Sequence, residues 1–134
     1  MIVVDASVLT NALTDDGPVG ARARAELARD AHWAAPEHLV VEVFSAVRGR
    51  WLGQKISQKR AQDALSAMSD ATIDLVAAAP LLMRMWELRS NVSGYDAAYL
   101  AVAETFGCPL VAADAHLARV PGLRCGVRLA LPIP

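Results

Sequence analysis

No apolar run in this chain approaches the ~20 residues that a bilayer-spanning helix needs, so a membrane-embedded protein is not expected. An acid already stands at position 5, too early for the apolar core of a secretory leader, and this predicts a cytoplasmic protein. Cysteine is scarce. Cys108 and Cys125 lack the spacing of a metal-binding motif, so reduced thiols are expected rather than a bridge. There is no excess of positive charge either, and a net charge of −1 argues against the broad polyanion binding of a strongly basic domain, leaving only local patches. Repeats, low-complexity tracts and linker-like stretches are missing as well. The 134 residues, 54% of them apolar, therefore predict one compact domain over 1–134.

What is present begins with Met1-Ile2-Val3-Val4, a β-branched run without alternation that predicts a strand buried on both faces, as inside a parallel sheet. Asp5 then falls at the strand's carboxyl end, where open α/β sheets place their ligands. The spacing predicts a helix from Ala6 to Leu13, a turn at Asp15-Asp16-Gly17-Pro18 and a second helix from Val19 to Arg29. A short strand follows at 32–36, closed by Pro36. Glu37 to Leu52 then reads as a long helix, apolar nearly all round and so mostly buried. Ser57 is the expected cap of a helix to about Met68, and Ala71 to Val76 is the expected third strand. Ala78 to Arg89 reads as a helix with Leu81, Leu82, Met85 and Leu88 inward. The next helix starts at Ser93-Gly94-Tyr95-Asp96 and closes at Gly107. Pro109 to Ala113 is a strand ending at Asp114, and Val127 to Leu131 adds an edge strand. Strands alternating with helices predict a three-layer α/β/α sandwich around a central, mainly parallel sheet.

Four acids stand out by position: Asp5 and Asp114 after strands, Glu42 inside the most apolar helix, and Asp96 in the first turn of another. Each has an ordinary reading, as a helix cap for Asp5, Asp96 and Asp114 and as a solvent-facing acid for Glu42. Glu42 is the least expected, because an ionised carboxylate alone among Leu39, Val43 and Ala46 costs several kcal/mol and no lysine or arginine lies within one turn. Four carboxylates sharing one crevice would repel one another unless a divalent cation neutralised them. Oxygen ligands of this kind suit Mg²⁺ or Mn²⁺ rather than zinc.

With these acids in view, the chain resembles the PIN-domain family, and more closely its VapC-type toxins. The resemblance rests on Ile2-Val3-Val4-Asp5-Ala6-Ser7, on Glu42 in its apolar helix, on the run from Tyr95 to Glu104 (YDAAYLAVAE), and on Leu110-Val111-Ala112-Ala113-Asp114. It implies a PIN-like fold and an Mg²⁺- or Mn²⁺-dependent endoribonuclease in which Asp5, Glu42, Asp96 and Asp114 are both catalytic residues and metal ligands. It also implies RNA cleavage by metal-activated water, a cognate VapB-type antitoxin and a homodimer. The sequence departs from the family at Ala112, where relatives often carry threonine or serine, and at His116, often another acid.

Ser7 and Asn11 are supporting candidates, each able to hydrogen-bond a carboxylate or a phosphate. Among the basic residues of the early helices, Arg48 and Arg50 are candidate RNA contacts, with Trp51 as a stacking surface; a solvated helix face is the ordinary alternative. Two other functions stay open. A catalytically silent PIN-like module would bind RNA or protein without cutting. A receiver-like phosphoacceptor domain also gathers acids at strand ends, but it needs a late lysine, and none follows Lys59.

Overall fold

A computed structural model describes residues 1–131. Its elements are β1 (Ile2–Val4), α1 (Ala6–Thr14), α2 (Pro18–Leu27), β2 (Trp33–Pro36), α3 (Leu39–Leu52), α4 (Gln58–Asp70), β3 (Ile73–Val76), α5 (Leu82–Glu87), α6 (Gly94–Phe106), β4 (Leu110–Ala112) and β5 (Val127–Leu129). Short 3₁₀ turns at Ala79–Leu81 and Ala115–Arg119 precede α5 and follow β4. The strands lie in the order β3, β2, β1, β4, β5, and every pairing is parallel.

This order positions the site. From β1 the chain steps outward through β2 to β3, then returns across the sheet to β4 on the other side of β1. Right-handed crossovers place α1 to α4 on one face and α5 and α6 on the other. The packing agrees: α1 lies against α2, α3 and α4, whereas α6 crosses β2, β1 and β4 and meets α5. The order reverses between β1 and β4, and at such a reversal a crevice opens beyond the carboxyl ends of the strands. Asp5 follows β1 there and Asp114 follows β4. Main-chain bonds tie the two strands together: Val3 N–H donates to Pro109 and Asp5 N–H to Val111.

Ile2, Val3 and Val4 are fully buried, as a central parallel strand requires. Each such side chain stabilises the fold by about 1.5–3 kcal/mol, which offsets the penalty of ending the strand on a buried acid. The helix signals in the sequence appear as real caps. Ser57 Oγ accepts from Arg60 N–H, Ser93 Oγ accepts from Asp96 N–H, and Gly107 closes α6 at φ +62°.

Two expectations are corrected. Helix α3 is not buried all round: Leu39, Val43 and Val47 form one covered stripe, while Val40, Val41, Phe44, Trp51 and Leu52 are exposed. Its neighbours α1 and α4 cover only that side. The expected helix from Ala78 is instead a 3₁₀ turn around Pro80 followed by the short α5, and Leu82 turns out to solvent at 56% exposure. A tighter turn at the start changes the phase of the apolar stripe, so Leu88 is the one fully covered among the four expected inward residues. Among the described residues, no helix is long and apolar enough to cross a membrane.

Candidate active site

Asp5 occupies the N-cap position of α1, yet its side chain makes no cap bond. Its Oδ2 accepts instead from the hydroxyl of Ser7. Burial pushes the Asp5 carboxyl up, the Ser7 bond pulls it down, and the charges of Asp96 and Glu42 push it up again, to about 6. Capping by itself therefore does not account for Asp5, although the Ser7 main chain also helps hold its carboxyl down. Asp5 is a buried acid within electrostatic reach of two others.

Asp96 sits in the first turn of α6, set there by the Ser93 cap. Burial pushes its carboxyl up, the neighbouring Asp114 adds to this, and Ser93 and His116 work against it. Asp114 is exposed, and its Oδ1 accepts from His116 N–H, so one of its oxygens does serve the capping role. Glu42 faces the crevice from the first turn of α3, half-buried. It is close enough to raise the Tyr99 hydroxyl, which burial pushes up first. Asp5 thus feels Asp96 and Glu42, and Asp96 feels Asp114, so four acids separated by most of the chain are neighbours in series.

They do not close into a finished cage. Among the described residues, no three His, Cys, Asp or Glu side chains converge closely enough to hold an ion as they stand. The donor set nonetheless fits a hard divalent cation. Asp5 and Asp96 are raised first by burial and then by neighbouring carboxylates, charge that a divalent cation would offset, and Glu42 Oε1 is buried without completing an aligned hydrogen bond.

The supporting candidates separate. Ser7 joins Asp5, whereas Asn11 is committed elsewhere: its Oδ1 accepts from Arg50 Nη2 at 2.6 Å, and Arg50 Nη1 also donates to Thr14 Oγ1. Arg50 therefore staples the end of α3 to the end of α1, away from the acids at the helix starts. Arg48 is exposed, and Trp51 is 44% exposed, so both remain available on the surface. Most other early cations are paired within the chain: Arg22 and Arg29 with Glu26, Lys59 with Asp63 and Arg60 with Asp16. His116 is also engaged, its Nε2 lying 2.9 Å from the Asn91 carbonyl.

One neighbour of the acids went unread in the sequence. His38 stands four residues before Glu42, with Nε2 at 2.9 Å from Oε1. Its spacing carries the signal, since residues four apart share one helix face and a histidine there can partner a glutamate as lysine or arginine does.

A family model described as PIN domain matches residues 2–123. Ribonuclease VapC1 of Mycobacterium tuberculosis is 36% identical over 128 residues, covering 95% of this chain and 96% of that protein. VapC ribonuclease Mb0985 of Mycobacterium bovis is 32% identical over 127 residues, covering 95% and 96%. Among solved structures, Mycobacterium tuberculosis VapC20, described as a sarcin-ricin loop cleaving toxin, superposes with TM-score 0.69 at 20% identity over 92% of this chain and 96% of its own. FitAcB from Neisseria gonorrhoeae gives TM-score 0.72 at 14% identity, over 97% and 98%.

Proposed function

We propose that this chain, which belongs to the PIN domain family, is an endoribonuclease of the VapC toxin class that works with Mg²⁺ or Mn²⁺ at Asp5, Glu42, Asp96 and Asp114. The observation that carries the reading is Asp5: a buried acid at the sheet's reversal point, pushed up by burial and by two further carboxylates. A fold gains nothing in stability from such an arrangement, so the acids answer to function.

A bound divalent cation would supply the Lewis acidity that activates water and the positive charge that offsets a phosphate in hydrolysis. The chain supplies the rest. Ser7 fixes the orientation of Asp5 through Oδ2. The Ser93 cap fixes the first turn of α6 and with it Asp96. Asp114, just beyond the carboxyl end of β4, has one oxygen held by His116 N–H and would offer the other to the cation. Arg48 and Trp51, on the exposed side of α3, lie about 9–14 Å along the helix from Glu42, within reach of a single strand of RNA running past the acids.

Partners enter the same reading. A VapB-type antitoxin and a second copy of the chain are supported by the apolar side chains left uncovered, chiefly Val41 and Phe44 on α3 and Met83 and Trp86 on α5. The relatives named as VapC ribonucleases support the toxin class, and the single fold of 1–131 supports one domain.

The test is RNA cleavage by the purified chain with Mn²⁺, with and without chelator. Cleavage is expected to vanish with chelator and in Asp5→Asn and Asp96→Asn, each still folded by circular dichroism. Undiminished cutting by either variant overturns the reading.

A further inference from the structure

We propose that His38 is a positioning residue of this site: its Nε2 holds Oε1 of Glu42, so that the other carboxylate oxygen is the one offered to a cation. The inference rests on the reading of the acids as a cation site and adds to it a residue outside the four carboxylates.

The geometry is specific. His38 precedes Glu42 by one helical turn, and Glu42 N–H donates to the His38 carbonyl at 3.0 Å. The imidazole Nε2 stands 2.9 Å from Oε1. Both atoms are shut off from solvent, and although they stand in contact neither completes a hydrogen bond in this conformation. The terminal torsion of a glutamate is broad, so rotation of the carboxylate is open to bring Oε1 onto a hydrogen bond from Nε2. The ring itself is not free to swing away. It stands edge-on to Tyr95 and Tyr99, with ring centres 5.6 and 5.2 Å away. Those tyrosines flank Asp96 on α6, so the imidazole ties the helix that carries Glu42 to the helix that carries Asp96.

A neutral imidazole can offer Nε2–H as a donor. Carboxylates that bind metals are commonly held by such partners, whose loss weakens metal affinity by about 10–100-fold. His38, together with the buried Tyr99 hydroxyl beside Glu42, thus supplies polar neighbours to a glutamate on a helix with no lysine or arginine within a turn.

The experiment is Mn²⁺ binding to the whole chain, read by the electron paramagnetic resonance signal of the free ion, with no RNA present. His38→Phe keeps the packing between the tyrosines and removes the donor; it is expected to bind Mn²⁺ about 10–100-fold more weakly. His38→Gln restores an N–H donor and is expected to fall within a few-fold of wild type. His38→Met, which adapts to the same gap without a donor, takes the place of the phenylalanine variant if that does not fold. Equal affinity in wild type and the donorless variant overturns the inference alone. So does ¹⁴N spin-echo modulation from an imidazole bound directly to Mn²⁺ in wild type. A wild type that takes up no Mn²⁺ overturns the cation reading and this inference together.

Discussion

Ser7 donates a hydrogen bond to Oδ2 of Asp5 from within the helix that Asp5 begins. That bond is the largest influence holding the Asp5 carboxyl down, set against burial and the charges of Asp96 and Glu42. Ser7→Ala removes it, so the Asp5 carboxyl is expected to rise further, by about one unit if the bond is worth ~1.5 kcal/mol. If Asp5 holds the cation as proposed, its protonated form is a poor ligand, and activity is expected to fall as pH drops through the Asp5 value. The acid limb of a pH profile of RNA cleavage should therefore move upward in Ser7→Ala, while the plateau at high pH changes less. A limb that stays in place would separate Ser7 from Asp5.

Asp5 also makes the free protein less stable at neutral pH. Its folded value of about 6 lies above the ordinary 3.8, so the folded chain holds this proton more tightly than the unfolded chain does. The stability this confers is complete below the unfolded value and is lost as pH rises through the folded one, a window from about 4 to about 6. Two units correspond to about 3 kcal/mol. Asp5→Asn has no charge to bury and keeps an oxygen for Ser7, so without added metal it is expected to melt several degrees higher than wild type at pH 7.5. The gap should narrow toward pH 4. Calorimetry at both pH values checks the sign, and a lower melting temperature for Asp5→Asn at pH 7.5 would contradict it.

The positions of the four acids were legible because each sits at a boundary that local chemistry marks: the end of an unbroken β-branched run, a serine-capped helix start, a glutamate among valines. Strand order could not be read in the same way, since nothing local says that β4 lands beside β1. The apolar breadth of α3 misled for a related reason. Composition reports what a helix is able to bury, whereas coverage depends on neighbours from elsewhere, and α1 and α4 cover only Leu39, Val43 and Val47. Glu26 shows the opposite failure. It lies in an arginine-rich helix that reads as solvated, yet it is 3% exposed because its main partner, Arg128, arrives from β5, 102 residues later.

Arg50 tests whether the end of α3 serves structure or RNA. Its guanidinium bonds Asn11 and Thr14, both buried, and so ties α3 to α1. Arg50→Ala leaves those two acceptors without their partner, and a loss of about 1–3 kcal/mol is expected in the midpoint of urea unfolding. Cleavage per folded molecule should change little. Arg48→Ala is expected to do the reverse, with stability unchanged and RNA binding weaker and less salt-dependent. A large loss of cleavage in folded Arg50→Ala would return that residue to the RNA surface.

Glu26 carries the most demanding expectation for the scaffold. Its Oε1 accepts from Arg128 Nε and from Arg29 Nη1, each at 2.8 Å, while Arg128 also reaches Asp30 at 3.0 Å. Burial pushes the Glu26 carboxyl up, but the bonds and charges of Arg128 and Arg29 outweigh it and hold the group below the usual range. Its contribution is therefore present above the unfolded value and lost as pH falls through the folded one. Glu26→Ala leaves Arg128 partly uncompensated, and a loss of about 3–5 kcal/mol is expected. Replacing both partners, as Glu26→Met with Arg128→Met, should recover much of that loss, since apolar pairs of similar volume often replace buried ion pairs without penalty. The network lies at the opposite end of β1 from Asp5: the amino group of Met1 is 3.5 Å from Asp30, and the strand between spans about 13 Å. Cleavage per folded molecule should accordingly be the same in the double variant as in wild type, and a double variant as unstable as Glu26→Ala would show that the loss comes from packing rather than from the stranded charge.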